Sequence, residues 1–379
     1  MSIRVVSSEV EFHGLRSAWQ EILDGNPNHT PFQTWEWNFT WWKHFGSVGR
    51  LRLLVAEEDG RLIGVAPFQL ASRYRGWPTR HLAFIGRKRS DYLDFIVRAG
   101  EEPGFFRQLF EYLRDGPTEW GFVELRDLPD GSTNLPHVLR EALKCFGVVN
   151  VEAGEACVTV PLADSWEKYL AALGKNARRN AGRYRRALEK EHAVSLVIPE
   201  AGEPMKKGLR DFADVFRSRW RAEQGATYFE QPRAAAFEQE VCDLAGAAGW
   251  YRLYLLYADE VPVAGYLGYV RNNKYYAGLL AHRPDYHKYS VGTVLIGMTI
   301  EDCISHGWSD LDMTRGDEPY KYQWNGSVKR NYDLKIFRSR LGMVPTSIVD
   351  WTYRRAVAMK PLHRIRAALM RWRFSGERR

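Results

Sequence analysis

Cysteine is scarce in this chain. The four present, Cys145, Cys157, Cys242 and Cys303, form no CxxC pair and no regular spacing, so neither a disulfide framework nor a thiolate metal centre is expected and the thiols read as reduced. No run approaches the roughly 20 apolar residues that a membrane-spanning helix needs. The opening segment, MSIRVVSSEVEFHGL, lacks the apolar core of a secretory signal, which points to the cytoplasm. No HExxH spacing and no Ser-His-Asp grouping stands out, so metal-assisted and covalent mechanisms find no support and no metal is expected.

Positive charge, by contrast, is in excess. Lys and Arg number 54 against 46 acidic residues, a net +8, and 45% of the 379 residues are hydrophobic. That composition fits a large globular core of about two domains with an anionic partner: a nucleotide-bearing cofactor, a phospholipid surface or a nucleic acid.

The chain opens with an expected strand (Ile3 to Val6) and a helix (Phe12 to Leu23). Four tryptophans follow between Trp35 and Trp42, read as a helix packing its aromatic face on a sheet, with a ligand wall as the rival reading. Two strands, Leu51 to Glu57 and Arg61 to Gln69, meet at Asp59-Gly60, a pair suited to a hairpin turn. The same grammar returns 200 positions on, where Arg252, Leu253 and Asp259 match Arg52, Leu53 and Asp59. Beyond each hairpin a strand is expected (Asp91 to Val97; Lys274 to Leu280), then a helix (Phe105 to Leu113; Val291 to Ser305) and a strand (Phe122 to Leu125; Asp310 to Met313). The pattern implies an internal duplication at the scale of a domain. The boundary is placed near 155, giving an N-terminal domain over 1–155, a C-terminal domain over 156–345 and a basic amphipathic tail over 346–379.

Two basic stretches stand out. The helical run LGKNARRNAGRYRRALEKE places Lys175, Arg178, Arg179, Arg183, Arg185 and Arg186 close together, for contact with an anion or for bracing between domains. The tail mixes Arg with Ile, Leu, Met and Trp at helical spacing, which suits either an anionic membrane surface or docking on the protein body.

The chemistry is expected between Tyr286 and Trp324. A strand runs into a short loop and then Ser290-Val291-Gly292-Thr293, where Ser290 reads as an N-cap. Gly292 lets a phosphate approach the helix-start amides, and His287 and Lys288 add positive field. The matching turn of the first half carries Glu101, Glu102 and Pro103, which repel an anion and remove a donor. Within this stretch, Y-x-x-Y-S-x-G-T-x-L at Tyr286 to Leu295, D-C-I-x-x-G at Asp302 to Gly307, D-L-D-M at Asp310 to Met313 and R-G-D-E-x-Y-K-x-x-W at Arg315 to Trp324 resemble the acyl-CoA N-acyltransferases of the CelD/BcsL type. These are GNAT-superfamily proteins similar to the FemAB fold, and the likeness covers roughly residues 10 to 340.

The resemblance implies an α/β protein of two fused GNAT-like domains with mixed sheets and FemAB-like architecture. It implies acyl transfer from acyl-CoA, as co-substrate, to an amine by direct attack in a ternary complex. The acceptor is a small-molecule or lipid amine, such as an amino sugar or a sphingoid base. The donor's pyrophosphate is expected over Tyr289, Ser290, Val291, Gly292, Thr293 and Val294, and its pantetheine along the strand near Ala277 to Leu280, with Leu279 and Leu280 among the residues that hold it. One departure is that His287, Lys288, Gly292 and Val294 stand where GNAT proteins usually show Q/R-x-x-G-x-G/A. The proton from the amine has four candidate acceptors: Asp91, Asp94, His282 and Asp317. Tyr320 or Tyr289 is the candidate to protonate the leaving sulfur, and Lys321 to hold a phosphate or neutralise developing charge. The site is expected to be shared between the domains. The rival readings are an aminoacyl-tRNA-dependent transferase of the FemABX kind, with the basic helix on the acceptor stem, and a non-catalytic module of an envelope polysaccharide or lipid assembly.

Overall fold

A computed structural model describes residues 1–117, 119–224 and 227–358. The second half of the expected basic tail therefore lies outside the described residues. In chain order the first elements are β1 (Ser2–Val6), α1 (Glu9–Gly14), α2 (Arg16–Asp24), α3 (Trp35–Phe45), β2 (Gly49–Glu58), β3 (Arg61–Ala71), β4 (His81–Phe84), β5 (Ile96–Val97), α4 (Glu102–Asp115), β6 (Phe122–Leu128) and α5 (Leu135–Phe146). Then come β7 (Val149–Pro161), α6 (Trp166–Ala172), α7 (Lys175–Glu191), β8 (Val194–Val197), α8 (Glu203–Gln224), α9 (Pro232–Ala247), β9 (Tyr251–Ala258), β10 (Val261–Arg271), β11 (Lys274–His282), α10 (Val291–Ser305), β12 (Asp310–Arg315), β13 (Ser327–Phe337) and α11 (Arg340–Ala358).

The chain forms two compact units. One is Met1–Glu155 together with the chain from Arg330 onward, and the other is Ala156–Lys329. The expected division gave 330–345 to the second domain, but β13 pairs with β6 from Tyr332 to Phe337, so the chain re-enters the first unit at Arg330. The first unit's strands run β1-β2-β3-β4-β6-β13, with β5 also on β3, and the second unit's run β7-β12-β11-β10-β9-β8. Each is a mixed sheet: β4 lies parallel to β6 and β11 parallel to β12, the other pairs given being antiparallel.

The duplication is legible in the hydrogen-bond register. In the first unit Leu54 to Ala56 pair with Ala66 to Gly64, Ile63 is skipped, and Glu57 and Glu58 pair with Leu62 and Arg61. In the second, Leu256 pairs with Ala264, Val263 is skipped, and Tyr257 and Ala258 pair with Pro262 and Val261. The same bulge therefore recurs 200 residues on. Both hairpins turn through left-handed backbone, at Asp59 and Gly60 (φ 50° and 76°) and at Asp259 and Glu260 (φ 50° and 66°). That is the geometry a two-residue turn requires to match strand twist.

One expected correspondence changes. The counterpart of β11 is not a strand over Asp91 to Val97 but the pair β4 and β5, which occupy the same side of β3 in two pieces. Phe84 to His81 pair with Phe68 to Ala71, and Val97 and Ile96 with Gly64 and Val65. On the second unit's β10, β11 fills the whole line, from Lys274 opposite Arg271 to His282 opposite Ala264. Residues 85–95 are thus an insert in the first unit's strand, and SDYLDF belongs to it.

That insert is fixed from several sides. The Leu93 amide donates to the Asp127 carbonyl (3.0 Å), and the indoles of Trp37 and Trp41 donate to Ser90 Oγ (2.8 Å) and the Arg87 carbonyl (3.2 Å). The four tryptophans of α3 are buried: Trp37 and Trp41 hold the insert, while Trp35 stacks on Phe39 and donates to the Phe12 carbonyl (3.1 Å). The carboxyl of Asp94 accepts from Ser132 Oγ (2.6 Å), Asn134 Nδ2 (2.9 Å) and the Phe95 amide (2.8 Å). Burial outweighs those bonds and raises its pKa from 3.8 to about 6. A raised carboxyl keeps its proton in the native state where the unfolded chain has lost it, so its contribution to stability is full below about pH 4 and is lost as pH rises through 6. Unfolding free energies of the wild type and Asp94→Asn should therefore differ by an amount that changes by about 2 kcal/mol between pH 4 and pH 7, the wild type being relatively more stable at the acidic end. A pH-independent difference in urea titrations would contradict the raised pKa.

Candidate functional site

In the second unit β11 and β12 run parallel for only three residue pairs, Lys274 with Asp310, Tyr275 with Leu311 and Tyr276 with Asp312. Beyond them β12 turns to β7, pairing Arg315 with Cys157 across a register shift, while β11 continues on β10 to His282. Among the described residues the edge of β11 that faced β12 therefore has no strand partner from Gly278 onward.

Three local features set up this divergence. Gly278 is skipped between the Leu267–Leu279 and Gly268–Ala277 pairs, which places a bulge in β11 where the strands part. Thr314 takes left-handed backbone (φ 53°), and its hydroxyl donates to the Ala277 carbonyl (2.8 Å), closing the last ladder position. Lys321 is 3% exposed, and its Nζ donates to the carbonyls of Arg315 (2.8 Å) and Thr314 (3.3 Å) and pairs with Glu318 (3.1 Å). The ammonium expected to hold a phosphate is thus spent on the carbonyls at the end of β12. Trp324 is buried and its ring packs at Gly297 of α10, with its carbonyl accepting from Tyr169 Oη (2.8 Å).

The open edge ends at His282, whose ring lies over the start of α10: a Cβ on Gly292 would stand 3.2 Å from its Cδ2. His282 Nδ1 is buried with no hydrogen-bond partner, and burial, with the nearby Arg219 charge, lowers the imidazole's pKa. The ring is therefore neutral at pH 7. Ser290 occupies the N-cap position in left-handed backbone (φ 48°), but its side chain makes no cap bond, contrary to the expected role. Its carbonyl accepts from Thr293 N (2.8 Å) and Val294 N (3.1 Å), so the amides left without a partner in the helix are those of Val291 and Gly292. Two amides without a helix partner at the positive end of a 15-residue helix have the chemistry that anions bind.

The remaining predicted residues are placed as follows. Leu279 and Leu280 are half-buried on the open stretch of β11. His287 is exposed, with Nδ1 turned to the Pro284 carbonyl of its own turn (3.2 Å). Lys288 pairs with Glu191 (3.0 Å), which offsets the positive field expected of it. Tyr289 is buried, its hydroxyl donating to Glu191 (2.5 Å) and lying 3.2 Å from His192 Nε2, so it is not free to protonate a sulfur. Tyr320 is half-buried and burial pushes its pKa up, leaving it a proton donor at neutral pH. Asp317 is exposed and accepts from Tyr322 Oη. Asp91 and Asp94 belong to the other unit's insert; the Asp91 carbonyl accepts from Asn331 Nδ2 (2.9 Å).

The structure thus brings His282, Gly292, Leu279 and Leu280 to one open strand and helix start. Sequence reasoning missed Thr314, Gly278 and the cluster of Glu191, His192 and Asp259 around Tyr289, in which His192 Nδ1 lies 2.6 Å from Asp259 Oδ2. The one signal available for these was the duplication itself, which aligned Asp259 with Asp59.

Residues 175–322 match the family model described as an acetyltransferase (GNAT) domain. The chain is similar in structure to FemX, with a TM-score of 0.61 and 12% identity over 91% of this chain and 99% of that one. It is also similar to L-PGS from Bacillus licheniformis (TM-score 0.52, 13% identity, 91% and 97% covered). A conserved protein of unknown function from Bacteroides thetaiotaomicron shares the fold too (TM-score 0.52, 7% identity, 88% and 99% covered). No curated protein matches the chain. The GNAT match falls within the second unit, and the repeated register gives the first unit a like fold, in agreement with the expected class of two fused GNAT-like α/β domains. Among the described residues no group of three or more His, Cys, Asp or Glu could hold a metal ion, and no helix is long and apolar enough to cross a membrane.

Replacing Lys321 by Met leaves two strand-end carbonyls without their donor and should lower the unfolding free energy by about 2 kcal/mol in urea. Unchanged stability would show that the ammonium is not a structural brace.

Proposed function

We propose that the chain is an acyl-CoA-dependent N-acyltransferase of the CelD/BcsL type, which passes an acyl group to an amino sugar or a lipid amine. The observation that carries this reading is the open edge of β11 running into the bare amides of Val291 and Gly292. The same line in the first unit is filled by its own chain, since residues 85–95 intervene and Leu93 bonds to Asp127. An extended, amide-bearing chain with an anionic end fits an unpaired strand edge followed by a helix start. Pantetheine with its pyrophosphate has that chemistry.

When bound, acyl-CoA would supply an activated carbonyl and a thiolate leaving group. The chain's own groups then divide the work. A backbone amide that faces the open edge near Leu279 offers a donor for the carbonyl oxygen as charge develops on it. His282, neutral at pH 7, takes the proton that the amine sheds as its nitrogen bonds to the carbonyl carbon. Tyr320 gives a proton to the sulfur as the carbon–sulfur bond breaks. Of the four expected bases, Asp317 is already engaged with Tyr322 and Asp94 with three donors, and His282 is favoured over Asp91 because it closes the open edge of β11 beside Gly292.

A second reading, an aminoacyl-tRNA-dependent transferase, draws on α7. Arg185 pairs there with Glu189 and Glu301, both 2.9 Å, whereas Lys175, Arg179, Arg183 and Arg186 are exposed and form no ion pair among the described residues. Calorimetry separates the two readings. CoA should bind the wild type, and Gly292→Val, whose side chain would meet the His282 ring, should weaken that binding about tenfold or more with the circular dichroism unchanged. With turnover in hand, His282→Gln should abolish the acid limb of kcat/KM, which the lowered pKa sets below pH 6.5. No binding of CoA or any acyl-CoA, with tight tRNA binding that falls steeply with salt, would favour the second reading.

A further inference from the structure

Helix α11 has two apolar faces, and only one is covered. Met343 and Val349 pack with Tyr74, Phe122 and Phe337, and Thr346 is buried on the same side. Asp350 is turned inward as well, held by Lys335 Nζ (2.5 Å), Arg75 Nε (2.7 Å) and Tyr74 Oη (2.7 Å). The helix is therefore anchored by a buried ion pair and a small core.

On the far side Leu341, Val344, Ile348 and Trp351 are 83%, 49%, 57% and 59% exposed. At about 100° per residue they fall within an arc of roughly 80°, opposite the buried face. Arg340 begins the helix beside this stripe, and Arg355 stands in its last turn, 5.1 Å from the Trp351 ring centre. The helix's one acid, Asp350, faces inward, so the exposed side of α11 carries no acid: the apolar stripe is bordered by the neutral Ser347 and Thr352 and by arginine. The sequence beyond it, residues 359–379, holds seven Lys and Arg against one acid, Glu377.

We propose that this face of α11 is a membrane-docking surface for an anionic lipid bilayer. Leu341, Val344, Ile348 and Trp351 enter the headgroup layer while Arg340 and Arg355 meet lipid phosphates. Charge complementarity selects this occupant. A second copy of the chain would bring two strongly cationic segments together, and a single four-residue stripe is small beside the roughly 800 Å² per partner of a stable interface. An anionic bilayer turns the same cations into attraction, about 1 kcal/mol for each one near the surface, and accepts a stripe only one helix wide. The proposal is independent of the acyl-CoA reading, because docking needs no donor.

The test is co-sedimentation of the full chain with vesicles of phosphatidylcholine alone or mixed with phosphatidylglycerol. The wild type should pellet with the mixed vesicles and remain in solution with the neutral ones. Ile348→Ser combined with Trp351→Ser, both at exposed positions, should reduce partitioning about tenfold with unchanged circular dichroism. The proposal is overturned if the wild type ignores anionic vesicles. It is equally overturned if the double variant binds as the wild type does, which would assign the attraction to the terminal sequence alone. Sedimentation velocity without lipid supplies the last check: a dimer that the double variant dissolves would make the face a contact between copies.

Discussion

The parting of two parallel strands is the constraint on which the candidate site depends. Backbone donors and acceptors in the middle of a sheet normally find partners in the neighbouring strand, and leaving them unpaired and dry is costly. In the second unit β11 loses β12 after Tyr276, and the parting is held open by specific devices. Gly278 supplies the bulge, the Thr314 hydroxyl closes the last carbonyl, and the Lys321 ammonium gathers the carbonyls where β12 turns away. A buried lysine serving backbone carbonyls is a support for the site more than a reagent in it.

The two units show what happens to such a gap when it is used and when it is not. Both keep the same hairpin, the same bulge and a parallel pair that stops after three residues, at Asp312 in one and Glu124 in the other. Buried carboxylates stand at both positions. In the first unit, the insert carries Arg87, whose Nη2 lies 2.6 Å from Glu124, and the Arg87 charge helps hold that carboxyl well below the usual range against the opposing effect of burial. The chain itself thus provides both the backbone partner and the counter-charge. In the second unit, Asp312 accepts from the Thr314 amide (2.8 Å) and no insert intervenes. One repeated geometry yields a closed scaffold and an open edge.

Much of the fold was readable because its signals are local or repeated. Asp59-Gly60 and the 200-residue echo fixed the hairpins, and the apolar spacing of Val291, Val294 and Leu295 fixed α10. What escaped was set by pairing between distant segments. SDYLDF has a strand-like composition, yet the tryptophans of α3 and the Asp94 cluster hold it as a loop, leaving only Ile96 and Val97 in the sheet. The return of β13 to the first unit has no local signature. α9, by contrast, was legible and overlooked, since Pro232 opens it and Phe237 and Val241 are spaced to face a core. At the site, Gly292 and His282 were readable as a glycine at a helix start and a histidine closing a strand. The roles of Ser290, Tyr289 and Lys321 were not, because they depend on φ at a single residue, on Glu191 a hundred positions away and on carbonyls presented by a turn.

The central claim is that the donor lies along the open edge of β11 and not on its filled counterpart. Amide hydrogen exchange measured with and without CoA tests it directly. The account predicts protection that appears at Leu279 to His282 and at Val291 and Gly292, with exchange across residues 81–97 unchanged. Protection confined to 81–97, or absent from β11, would contradict it.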